Sequence, residues 1–145
     1  MKLRHKVRVV LLDGDHLVLL RRGWPGGSPY WTTVGGGVEP DDAGLEAALR
    51  REVMEEIGAT IGPATPLLTV TEPGGTLTVT QHFFLADLLD MDQDRRDGPE
   101  VDAPDTGDFE PVRIPLDLTA VTALDLNPPE LAAYVPAHAE AWRAR

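Results

Sequence analysis

The segment that most constrains this chain is residues 43–57, the one run among 145 with a sustained helical period. Asp41 or Asp42 precedes it as a side-chain cap, and Gly58 follows where a left-handed residue commonly ends a helix. Around it the apolar runs are short. Residues 7–12 and 17–22, parted by Asp13-Gly14-Asp15-His16, read as a β-hairpin. Residues 30–34 read as a strand entering the turn-like run Gly35-Gly36-Gly37. Residues 67–71 and 77–88 read as strands turned by Pro73-Gly74-Gly75, and 112–116 as a last strand. A second helix is expected from Glu130 onward, interrupted or kinked at Pro136. Strands and helices mix without regular βαβ alternation. The expected fold class is therefore α+β, as one layered domain over residues 1–145.

The helix carries an anomaly. At roughly 100° per residue, Leu45, Leu49, Val53 and Ile57 make an apolar stripe about 120° wide. Glu56 falls inside that stripe, roughly 20° from Leu49, with Glu52 at its edge and Glu55 further round. A solvated acidic flank, with Arg51 paired to Glu55 one turn on, is the ordinary reading of a Glu-rich helix. It does not explain a carboxylate aimed at the packed side, because unpaired carboxylates gathered there cost several kcal/mol unless cations compensate them. Hard oxygen ligands spaced i, i+3 and i+4 suit Mg²⁺ or Mn²⁺. Three glycines after a strand, in front of such a helix, let backbone approach a ligand closely.

Charge narrows the partners. The formal net charge is −11, and residues 90–108 alone hold eight acids against Arg95 and Arg96. Polymeric nucleic acid is disfavoured, since phosphate backbones are held by clustered Lys and Arg. A small anionic substrate is not, because a divalent ion reverses the local field. The composition has no cysteine, which removes disulfides and thiolate metal sites. No apolar run approaches the ~20 residues of a membrane span, and the basic start is followed by no signal-peptide core. A cytoplasmic enzyme with no membrane partner is expected. The oligomeric state stays open, a homodimer included.

These residues resemble the Nudix family, whose box reads G-x5-E-x7-R-E-U-x-E-E-x-G-U with U aliphatic. Arg51, Glu52, Val53, Glu55, Glu56, Gly58 and Ala59 occupy its second half. Residues 31–39 are similar to the lead-in W-x-L-P-G-G-x-V-E, with Thr33 and Val34 in place of Leu and Pro. The first half is irregular. If Gly36 leads, the acidic position is Asp42, with eight residues before Arg51; if Gly37 leads, spacing is regular but the position is Ala43. The first register keeps the lead-in aligned and is adopted here.

The resemblance implies an α/β/α sandwich with a mixed sheet between helices. It also implies Mg²⁺-dependent hydrolysis (Mn²⁺ as substitute) of a diphosphate linkage in a nucleoside diphosphate derivative: ADP-ribose-like, sugar-nucleotide-like or a modified triphosphate. Carried onto this sequence, Glu52, Glu55 and Glu56 would bind metal with a carbonyl near Gly35. Glu55 or Glu56 would act on the attacking water, and Arg51 would orient the carboxylates. Arg21, Arg22, Gly36 and Gly37 are candidate substrate contacts, and Glu110 and Asp108 candidate additional acids. Pro73, 15 residues past Gly58, matches a proline associated in the family with ADP-ribose hydrolysis. Trp31 is expected to support the glycine run or stack on a base, and His82 to be a hydrogen-bonded strand residue. The competing reading is a non-catalytic nucleotide sensor on the same fold. An isomerase of prenyl diphosphates would call for a longer chain and a cysteine.

Overall fold

A computed structural model describes residues 2–23, 26–96 and 108–145. The chain order is β1 (Lys2–Asp13), β2 (His16–Gly23), β3 (Tyr30–Thr32), β4 (Val34–Gly37), α1 (Leu45–Ile57), β5 (Ala59–Ile61), β6 (Thr65–Gly74), β7 (Leu77–Met91), β8 (Asp108–Pro115), α2 (Leu118–Thr122) and α3 (Pro129–Arg143). The strands form a mixed sheet whose main path is β3-β2-β1-β7-β5, with β4 on β1, β6 on β7 and β8 on β2. β1 and β7 run parallel, Val7 opposite His82 and Val9 opposite Phe84; the other strand pairs are antiparallel.

The centre of β1 explains the layering. Val9, Val10, Leu11 and Leu12 are all buried, and alternation sends them to opposite faces. Val9 and Leu11 join Val18, Leu20, Phe84 and Ala86 beneath Leu49, Val53 and Ile57 of α1. Val10 and Leu12 join Leu17, Leu19, Phe83 and Leu85 beneath Leu131, Val135 and Trp142 of α3. The result is the expected helix–sheet–helix sandwich. Among the described residues no helix is long and apolar enough to cross a membrane.

Several sequence expectations shift. The glycine run is not a turn: Val34–Gly37 is a strand, pairing antiparallel with residues 6–9 of β1. Helix α1 begins two residues later than expected, at Leu45. Gly44 stands at its N-cap with no side-chain bond, so neither Asp41 nor Asp42 caps it. Leu45 lies at the exposed edge of the stripe. Pro73 and Gly74 belong to β6, and the turn falls at Gly75-Thr76. Of the acidic stretch 90–108, Asp90 and Met91 extend β7, Gln93–Arg95 forms a 3₁₀ turn and Asp108 opens β8; residues 97–107 lie outside the described residues. Two elements are too short to show a period: β5, and α2, which Asp117 caps by accepting from the Ala120 N–H at 2.7 Å. Helix α3 continues through Pro136.

Gly58 ends α1 as expected, at φ 64°, its N–H bonded to the Met54 carbonyl. A Cβ there would run into the Asp92 carbonyl, where the chain returns after β7. Gly58→Ala is therefore expected to cost at least about 1–2 kcal/mol from the left-handed backbone alone. The collision with Asp92 adds to that. Denaturant unfolding measures it, and an unchanged midpoint would contradict this account of the helix end.

Candidate active site

Burial sorts the three glutamates of α1. Glu56 is 2% exposed and Glu52 6%, the only buried carboxylates among the described residues, while Glu55 lies half-buried at the rim. The sheet makes room for them through β4. Glu52 rests against Gly36, and a Cβ on that residue would collide with its carboxylate. Gly35 turns its N–H to Glu56 Oε1 at 3.1 Å. The glycines are thus a floor for carboxylates, and a side chain at Gly36 would displace Glu52.

Two guanidiniums hold the acids. Arg51 donates from Nε and Nη2 to both Asp42 oxygens, each at 2.8 Å, and from Nη2 to the Gly37 carbonyl at 2.9 Å. Its Nη1 reaches Glu52 at 3.0 Å and Glu55 at 3.1 Å, with Glu39 further out at 3.7 Å. Asp42, the acid in the irregular half of the motif, also accepts from the Glu39 N–H at 2.8 Å. Its engagement explains the missing cap: a bidentate charge-assisted pair is stronger than a bond to a helix-end amide. The Arg51 bonds and that amide pull the Asp42 carboxyl from 3.8 down to about 2. The Asp42 bond in turn raises the Arg51 value and keeps its guanidinium charged.

Arg21 and Arg22 point apart, as strand alternation requires. Arg22 Nη2 donates to Glu56 Oε2 at 3.2 Å and Nε to Thr32 Oγ1 at 3.2 Å, and its guanidinium lies 5.1 Å from the centre of the Phe109 ring. Arg21 faces the other way, 3.7 Å from Glu110 on β8, with both side chains well exposed. Glu110 therefore lies with Arg21 rather than with the helix acids. Asp108 takes its strand place opposite Gly23. Trp31 neither props the glycines nor lines the acid cluster. Its side chain packs against the α3-side core, and its backbone ties down the chain before α3 through Asp125 and Asn127. His82 is half-buried and hydrogen-bonded to His5, 3.0 Å between ring nitrogens; burial, then His5, pushes its pKa down.

Sequence reasoning missed Phe109, whose place under Arg22 follows only from the β2–β8 register. It also missed a cavity of about 410 Å³ lined by Lys6, Arg8, Glu72, Gln81 and Asn127 and floored by Thr33. Arg8 bonds Gln81 Oε1 and the Thr33 carbonyl, each at 3.1 Å, so this cavity adjoins the strand that carries the glycines.

Four carboxylates thus bond to two guanidiniums, a formal surplus of negative charge on hard oxygen donors. That donor chemistry fits a hard divalent cation. Among the described residues no three metal-binding side chains converge closely enough to hold one as they stand; the same carboxylates are paired to Arg22 and Arg51.

The model for the NUDIX domain matches residues 2–135. The chain belongs to the Nudix family. Solved structures share the fold. A NUDIX hydrolase from Nitrosomonas europaea is 20% identical, with TM-score 0.71 over 98% of this chain and 91% of its own. A structure described as an ADP compounds hydrolase is 22% identical, with TM-score 0.68 over 96% and 72%. A MutT NUDIX hydrolase from Burkholderia pseudomallei is 21% identical, with TM-score 0.62 over 94% and 98%. None of the curated proteins matches the chain. The reaction class that goes with this membership is pyrophosphohydrolysis, and the chain is an enzyme of that class.

The Asp42–Arg51 pair has a pH signature. Since the folded-state value of Asp42 lies below the ordinary 3.8, its stabilisation is full above that pH and is lost as pH falls through about 2. Asp42→Asn is expected to lower the melting temperature near neutral pH and to flatten its fall between pH 4 and pH 2 (about the two ends of the Asp42 shift). Parallel melting curves for wild type and variant across that range would refute the pairing.

Proposed function

We propose that this enzyme hydrolyses the diphosphate linkage of a nucleoside diphosphate derivative, ADP-ribose-like, sugar-nucleotide-like or a modified nucleoside triphosphate, with Mg²⁺ as its ion and Mn²⁺ as a substitute. One observation carries the reading: two carboxylates buried on one helix against a glycine floor, Glu52 and Glu56, with a third, Glu55, open at the rim. Two of the similar structures are described as an ADP compounds hydrolase and a MutT hydrolase, names that fit the same substrate class.

Glu52, Glu55 and Glu56 would hold the ion, with a backbone carbonyl near Gly35. Bound there, it would neutralise the diphosphate and polarise a P–O bond. The remaining chemistry belongs to the chain. Glu55 is the accessible carboxylate, so it is assigned the proton of the attacking water. The water oxygen bonds to phosphorus, the P–O bond to the bridging oxygen breaks, and two phosphate-bearing products leave. Arg51 keeps Glu52 and Glu55 oriented. Arg22, with Gly36 and Gly37, would face the diphosphate; Arg21 remains a candidate substrate contact, and Glu110 and Asp108 candidate further acids. The cavity beside Thr33 gives the rest of the nucleotide polar partners in Arg8, Gln81 and Asn127.

Glu55→Gln is expected to reduce Mg²⁺-dependent turnover about a hundredfold or more while leaving the melting temperature close to wild type. A nucleotide panel assayed for phosphate released after phosphatase treatment measures it. Wild-type rates in the variant would remove the helix from the mechanism. Tight binding of one nucleotide by the wild type without turnover would instead establish a sensor.

A further inference from the structure

The two arginines of the site are held very differently. Arg51 is fixed by both oxygens of Asp42 and by a backbone carbonyl before it touches any metal-site acid. Arg22 has a single hydrogen bond to Glu56, at 3.2 Å, the long end of the N–H···O range. Its other anchors, Thr32 Oγ1 and the Phe109 ring, do not depend on Glu56. Yet the Glu56 side chain is 1% exposed and the Arg22 side chain only 15%, so Arg22 stands as a counter-charge to a carboxylate withdrawn from water. Removing a counter-charge from such a group is costly unless another cation replaces it.

We propose that Arg22 is an exchangeable counter-cation. Its guanidinium occupies the Glu56 carboxylate while no divalent ion is bound. It is released when the ion takes that oxygen, and Thr32 and Phe109 then keep it beside the site, where it meets the substrate diphosphate. The inference rests on the metal-site reading above. It has a consequence that neither a structural salt bridge nor a simple substrate-binding arginine shares. Two cations that compete for one carboxylate oppose each other, so deleting Arg22 strengthens metal binding while weakening the metal-free fold.

The experiment titrates Mn²⁺ alone, without nucleotide, into wild type and Arg22→Gln by calorimetry, alongside melting temperatures with and without the ion. Expected are a lower metal-free melting temperature, Mn²⁺ binding tighter by about fivefold or more, and a larger metal-induced rise in melting temperature. Equal or weaker Mn²⁺ binding by the folded variant overturns the exchange while leaving the metal site intact. If neither wild type nor variant binds Mn²⁺, the metal-site reading falls, and this inference falls with it. Should the variant not fold, the wild type answers through the ¹⁵N signal of Arg22 Nε, assigned by its loss in Arg22→Lys. Adding Mg²⁺ is expected to shift that signal and leave the Arg51 Nε signal nearly in place. An unmoved Arg22 signal at saturating Mg²⁺ overturns the proposal.

Discussion

The Arg51 guanidinium is the interaction on which the site is built. It lies between the loop before α1, through Asp42 and Glu39, the glycine strand, through the Gly37 carbonyl, and the helix, through Glu52 and Glu55. A planar fork with five donors can satisfy three segments at once; a lysine ammonium offers no such fixed geometry. Charge-assisted bonds among partly buried groups are worth more than the same contacts in water, because the screening medium has been removed. The helix is thereby oriented by its polar edge as well as by the apolar stripe of Leu49, Val53 and Ile57.

Orientation alone would not bury Glu52 and Glu56. Burial requires that the sheet lack side chains at the place of contact, and β4 meets this with glycine, at the cost of backbone entropy and strand propensity. The strand survives because it pairs with β1, the most deeply buried strand of the sheet. Stability borrowed from the core is thus used to form a weak strand whose value lies in what it does not carry.

This explains which features the sequence reveals. The helix, its buried acids and its Gly58 ending were legible, since they depend on local period and on residue types within a few turns. The hairpin of β1 and β2 was legible for the same reason. The glycine strand was not: three glycines in a row read locally as a turn, and only pairing with Lys6–Val9 backbone, far away in sequence, makes them extended. Asp42 looked like a helix cap because its competing partner, Arg51, is bound through the fold. Trp31 was expected to support the glycine run or stack on a base, and its packing against the α3-side core follows from tertiary contacts that a three-residue strand does not announce. Phe109 carried no signal at all, because its ring acquires a role only when β8 sets it opposite Arg22.

A formal charge of −11 does not by itself decide how the protein meets a small anion, because a few local cations or a divalent ion reverse the field at a site. What matters is the local balance. There Glu56 bonds Arg22, and Asp42, Glu52 and Glu55 bond Arg51, while Lys6 and Arg8 line the neighbouring cavity, Arg8 held by Gln81 and the Thr33 carbonyl. Net charge is a property of the whole surface, whereas the local charge at the helix is set by Arg22 and Arg51, the cations that its carboxylates bond.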